Sequence, residues 1–175
     1  MIMPAGVRKL VLTTHLTFSI GWIGAAVGYL GLGIAATGSE DPETIRSAWI
    51  GMETIGWFVI VPLALASLLT GLVMALGTKW GLLRHYWVIF SFVLTVFATV
   101  ILLLHMPTVT STTDIARTAD PATLARLGGD LGHPAIGLGV LLVVQTLNMY
   151  KPRGMTSYGH RRQRTERSAS FPTPN

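Results

Sequence analysis

The chain has no cysteine among its 175 residues. That excludes a disulfide framework, a thiolate metal site and a cysteine nucleophile. Charge is also scarce: Asp, Glu, Lys and Arg make up 12% of the sequence, about half the share of a soluble domain. No glycine-rich phosphate loop is present, and no GxSxG, HExxH or Walker pattern, so the motif-bearing hydrolase and nucleotidase chemistries have no foothold.

What the chain does have is apolar sequence, 50% of it, gathered into four runs. They predict spans at about 10–36, 50–77, 82–106 and 130–150, each near or above the ~20 residues that cross a hydrocarbon core. The first run is too long for a secretory h-region of about 7–15 residues and reads as a retained helix. The expected fold is all-α: a polytopic membrane protein with four transmembrane helices in an up-down bundle. Residues 1–150 form the membrane domain, and 151–175 a basic, largely disordered tail.

The net charge is +5, and the cations cluster. With four spans the termini share a side. That side holds Arg8, Lys9, Lys79, Arg84, Lys151, Arg153 and the four arginines of "RRQRTER"; the other holds Arg46, Arg117 and Arg126. This imbalance places both termini in the cytoplasm and the protein in the plasma membrane. The basic segment "YKPRGMTSYGHRRQR" serves as a topology anchor or meets anionic lipid rather than nucleic acid. Trp49 and Trp80 fall at the predicted interfaces.

Two loops share a phrase, "DPETIR" and "DPATLAR". Asp as cap followed by Pro in the first helical position is a helix start. The first phrase opens the second span, and the second predicts a short surface helix.

Within the spans, Gly21, Gly24, Gly28 and Gly31 make a small-residue stripe expected to pack against another helix. His15, Ser19, Trp22 and Tyr29 form a second stripe, read as its neighbour. Pro62 predicts a kink in the second span. Two polar clusters follow. At the cytoplasmic end His15 and His85 reach similar depth; they are candidate axial ligands of a haem b, with Trp22 and Tyr29 lining the porphyrin. Interfacial histidines bonded to water would look the same. At the outer end Glu53, His105 and His133 approach one surface, with Met52 and Met106 beside them. Imidazole and carboxylate suit zinc or copper(II), and thioether suits copper(I). The alternative is a plain helix end, where His complements the dipole.

His15, Trp22 and Gly24 spell H-x6-W-x-G, which resembles the first helix of bacterial haem-dependent protoporphyrinogen oxidases and of copper-resistance-D-like membrane proteins. The resemblance implies haem binding at His15. It also implies a lysine shortly after a tryptophan in the third helix, where this chain has Ser91 after Trp87. A longer resemblance runs through "GWFVIVPLALASLLTGLVMALGTKWGLLRHYWV", "TVILLLHMP" and "YKPRGMTSYG". These segments are similar to a family of small actinobacterial integral membrane proteins, the domain of unknown function numbered 2269. It implies a multi-span protein and no assigned activity. Three functions stay open: a haem- or metal-binding membrane protein, a non-catalytic scaffold or regulatory subunit, and a small copper transporter. The polar residues inside the spans make only a thin path for the last.

Overall fold

A computed structural model describes residues 3–78 and 81–170, with side chains up to residue 165. Lys79 and Trp80, and the end of the tail from residue 171, lie outside the described residues, as do the side chains of 166–170, Arg167 among them. Helix α1 covers Ala5–Gly38. Helix α2, Pro42–Ile55, runs through a wide π turn at Gly56–Ile60 into α3, Val61–Gly77. Helix α4 is Tyr86–Thr118, α5 is Pro121–Leu127, α6 is Gly132–Tyr150 and α7 is Ser157–Ser170. Among the described residues four helical stretches are long and apolar enough to cross a membrane, which makes the chain an all-α, multi-pass bundle. Around it, α1 neighbours α3 and α6, and α4 neighbours the same two.

The helix starts follow from local chemistry. Asp41 accepts from the backbone N–H groups of Glu43 and Thr44, and Asp120 from those of Ala122 and Thr123. These bonds satisfy the first orphan donors of α2 and α5. Both carboxyls are held below the ordinary carboxylate range, that of Asp41 chiefly by the Thr44 hydroxyl and that of Asp120 chiefly by the Thr123 N–H. At Pro62 the expected disturbance takes a definite form. Proline has no N–H to donate, and just before it the Val61 N–H reaches back five residues to the Gly56 carbonyl, widening the helix by one residue.

The bundle is longer than a bilayer is thick. Helix α1, 34 residues, is about 51 Å long, and the hydrocarbon core is about 30 Å. The large exposed apolar side chains show which part meets lipid. On the α2–α3 helix they run from Trp57 to Leu76, on α4 mainly from Tyr86 to Leu104, and on α6 from Ile136 to Tyr150. Beyond that belt, away from the termini, the last turns of α1, all of α2, the end of α4 and α5 form a cap. Its core is Ile45, Trp49, Met52, Val109, Ala116 and Leu124, all buried. The sequence places the end of the third span at 106, but α4 continues to Thr118 through Pro107. Its polar, threonine-rich extension stays helical because Val109, Thr113 and Ala116 pack inward and Thr113 Oγ1 donates to the Trp49 carbonyl. Trp49, expected at an interface, is instead part of this core, its indole N–H donating to the Gly128 carbonyl at 3.0 Å. Arg46 donates to the carbonyls of Ala116, Arg117 and Ala119, satisfying the end of α4.

Two other expectations change. Of the glycine stripe of α1, Gly21 packs against Leu63, but a Cβ at Gly24, Gly28 or Gly31 would meet nothing within 4 Å. Gly24 follows His15 by nine residues, two and a half turns, so the two stripes are opposite rather than adjacent. Trp22 and Tyr29 are buried, and His15 is partly buried against α3. The tail after Tyr150 returns to the bundle: Thr156 N–H donates to the Arg84 carbonyl, and its hydroxyl to the Leu83 carbonyl at 2.6 Å. The same hydroxyl accepts from Gly159 N–H and so caps α7.

Candidate metal centre

The site forms where the cap meets the lipid belt. Helix α4 brings His105 there, two residues before Pro107. The loop between α5 and α6 brings Asp130, and the first turn of α6 brings His133. The loop runs against α1 with almost no clearance: a Cβ at Gly33 would collide with the Asp130 carbonyl, and one at Gly129 with the Gly33 backbone. Glycine at both positions lets the loop sit this deep.

Asp130 organises the group. Its Oδ2 lies 2.6 Å from His105 Nε2 and accepts from the Tyr29 hydroxyl at 3.0 Å. Its Oδ1 faces His133 Nδ1 at 4.0 Å. The two imidazoles stack, with centroids 3.7 Å apart and planes 16° from parallel. One ligand atom from each of His105, Asp130 and His133 lies within 4.8 Å of the others. The side chains of His105 and Asp130 are 14% and 10% exposed, that of His133 57%. Two donors are therefore held and shielded, and the third is free to swing.

A tetrahedral ion with bonds of about 2.0–2.1 Å needs donors roughly 3.4 Å apart. Reaching that spacing would take a rotation of the exposed His133 and a turn of the carboxylate. The direct His105–Asp130 hydrogen bond would give way to metal bonds. Tyr29 would remain behind Asp130 as the outer partner that orients a ligating carboxylate.

His105 and His133 lie together, and the carboxylate beside them is Asp130, where the sequence predicts Glu53. Glu53 is committed elsewhere: Arg117 Nη2 donates to its Oε2 at 2.8 Å. Met106 sits close by but in the core, its Sδ and Cε against Gly56, and Met52 is fully buried. Asp130 was legible as D-x-x-H in "GGDLGH", a carboxylate three residues before a histidine in a glycine-rich turn.

The other four candidates separate. His15 and Trp22 line a cavity at the termini end, with His15 Nδ1 3.0 Å from Thr70 Oγ1. Gly71 leaves room for the imidazole, since a Cβ there would lie 3.1 Å from His15 Cε1. Tyr29 belongs to the opposite end, on Asp130. His85 sits just before α4 in an antiparallel bridge with Met155 and is not among the residues lining the cavity. The cavity therefore offers a single imidazole.

No family model, curated protein or solved structure matches the chain.

Proposed function

We propose that this multi-pass membrane protein binds a divalent first-row metal ion, zinc or copper(II), through His105, Asp130 and His133. The observation that supports it is the convergence of two imidazoles and a carboxylate from two helices and a loop within 4.8 Å. Imidazole–carboxylate sets suit these ions. Three protein ligands leave a fourth position open, as in sites that hold a water or exchange an ion. The exposed His133 supplies the entry path. The lysine and arginine imbalance supports a site on the outer face of a plasma membrane, with the termini in the cytoplasm.

Transport is disfavoured by what lies between the two ends. Trp22, Ile60 and Ala64 are buried there, and they offer no continuous polar path. Bis-histidine haem ligation needs two imidazoles at one site, and the cavity at His15 supplies one.

The test is metal content after equilibrium dialysis of detergent-purified protein against Zn2+ or Cu2+. About one equivalent per chain is expected. Asp130→Asn and His133→Ala should weaken binding by at least about tenfold, given that even outer partners are worth 10–100-fold. Glu53→Gln should leave it unchanged. Binding that is absent in the wild type, or equal in Asp130→Asn, overturns the assignment.

A further inference from the structure

The cavity at the termini end of the bundle plays no part in the metal centre. All four spanning helices line it, and its volume is about 580 Å3, within the ~300–1,000 Å3 of pockets that enclose a small ligand. Along α1 its lining runs from Arg8 to Ile23, a rise of about 22 Å. It therefore runs along the bundle axis.

Its polarity is graded. Arg8, Lys9 and Lys151 stand at the mouth, and Trp22, Ile23 and Leu141 close the deep end. The mouth coincides with the edge of the lipid belt, where Leu10, Tyr86 and Tyr150 are exposed. The cations are thus at headgroup depth. Between the two extremes lies a rung of hydroxyls. Ser19 and Ser67 bond each other at 2.8 Å, and His15 bonds Thr70. Ser91, five residues into α4 from Tyr86 or about 7.5 Å deeper, also lines the cavity, is 6% exposed, and has no partner for its Oγ among the described residues. Its helix neighbours Thr95 and Thr99 do bond carbonyls one turn back. A buried hydroxyl without a partner is rare, and each such group needs an explanation.

We propose that this cavity holds one acyl glycerolipid with an anionic headgroup, taken from the leaflet on the side of the termini. Arg8, Lys9 and Lys151 face its phosphate, Ser91 donates to an ester carbonyl below it, and the acyl chain runs to Trp22 and Leu141. The order of groups from mouth to floor (cation, hydrogen-bond donor, apolar wall) is the order of phosphate, ester and chain in such a lipid.

The experiment is native mass spectrometry of the full chain, released from detergent after equilibration with equal amounts of dioleoyl phosphatidylglycerol and dioleoyl phosphatidylcholine. One phosphatidylglycerol per chain should be retained, preferred by roughly fivefold or more, the discrimination expected of even one basic contact. Arg8→Gln with Lys9→Gln should bring the two lipids toward equal retention. Ser91→Phe, which puts a ring in place of the hydroxyl midway along the cavity, should remove both while the melting temperature holds. Should Ser91→Phe fail to fold, Ser91→Ala replaces it and should lose lipid at lower collisional energy. Equal retention of the two lipids by the wild type overturns the proposal. So does retention unaltered by Ser91→Phe, or by Ser91→Ala where that variant stands in.

Discussion

In the cap, Ile45, Met52, Val109 and Leu124 are almost entirely sealed from solvent; in the membrane half, Leu69, Phe90, Leu104 and Ile136 lie open. The same helices pass through both regions, and the forces holding them differ. Water surrounds the cap, so burying apolar surface drives its assembly. Lipid surrounds the other half, and a leucine gains nothing there by leaving one apolar medium for another. That half depends on close contacts and on hydroxyl pairs such as Ser19–Ser67 and His15–Thr70. A region held in this way tolerates an internal cavity.

Three measurements would break or sharpen this contrast. The largest effect should come from the cap core. Met52→Ala should destabilise the protein by about 2–5 kcal/mol, as large-to-small changes in packed interiors do. Leu69→Ala, on the lipid face, should stay within about 0.5 kcal/mol of wild type. Unfolding in mixed micelles compares the two, and equal losses would erase the distinction. A smaller effect belongs to the hydroxyl pair. A double-mutant cycle of Ser19→Ala and Ser67→Ala should give a coupling of about 0.6 kcal/mol, typical of hydrogen bonds between membrane helices. A coupling of zero would mean that the rung does not hold the helices. The smallest effect is on pH. The carboxyls of Asp41 and Asp120 sit lower in the folded chain than in the unfolded one. Their contribution is therefore complete above the ordinary carboxylate range and fades as pH falls through it toward the depressed folded values. Thermal melts from pH 7 to 3 should show a slightly steeper loss for wild type than for Asp41→Asn/Asp120→Asn, since asparagine caps without titrating.

Much of this architecture was legible because its signals are local. Apolar runs located the spans, and the Asp-Pro pairs located the starts of α2 and α5. The extension of α4 was hidden because "TVTSTTDIART" has the composition of a loop, and only contact with α2 makes it helical. That omission led to another. With the helix ending at 106, Arg117 had no reason to stand beside Glu53, so Glu53 looked available to the histidines. The glycine stripe misled for a related reason: small residues mark a face that permits close approach, and which face is used depends on neighbours. Here the intimate contacts are at Gly33, Gly56 and Gly71.

The π turn before Pro62 has one more effect, on the phase of the helix. An ordinary α-helix advances about 100° per residue, and one extra residue in a turn shifts everything beyond it by that amount. On an unbroken helix Glu53 would share a face with Ile60, Ala64 and Ser67. With the shift, Met52 comes onto the inner face and is fully buried, while Glu53 turns aside to Arg117. Gly56 to Ile60 thus works like a gear offset between two shafts, setting the cap and the membrane half to separate registers. Removing one residue from that turn would give a regular α-helix and keep Met52 inward, whereas tightening the turn to α with no residue removed would bring Glu53 round into the core.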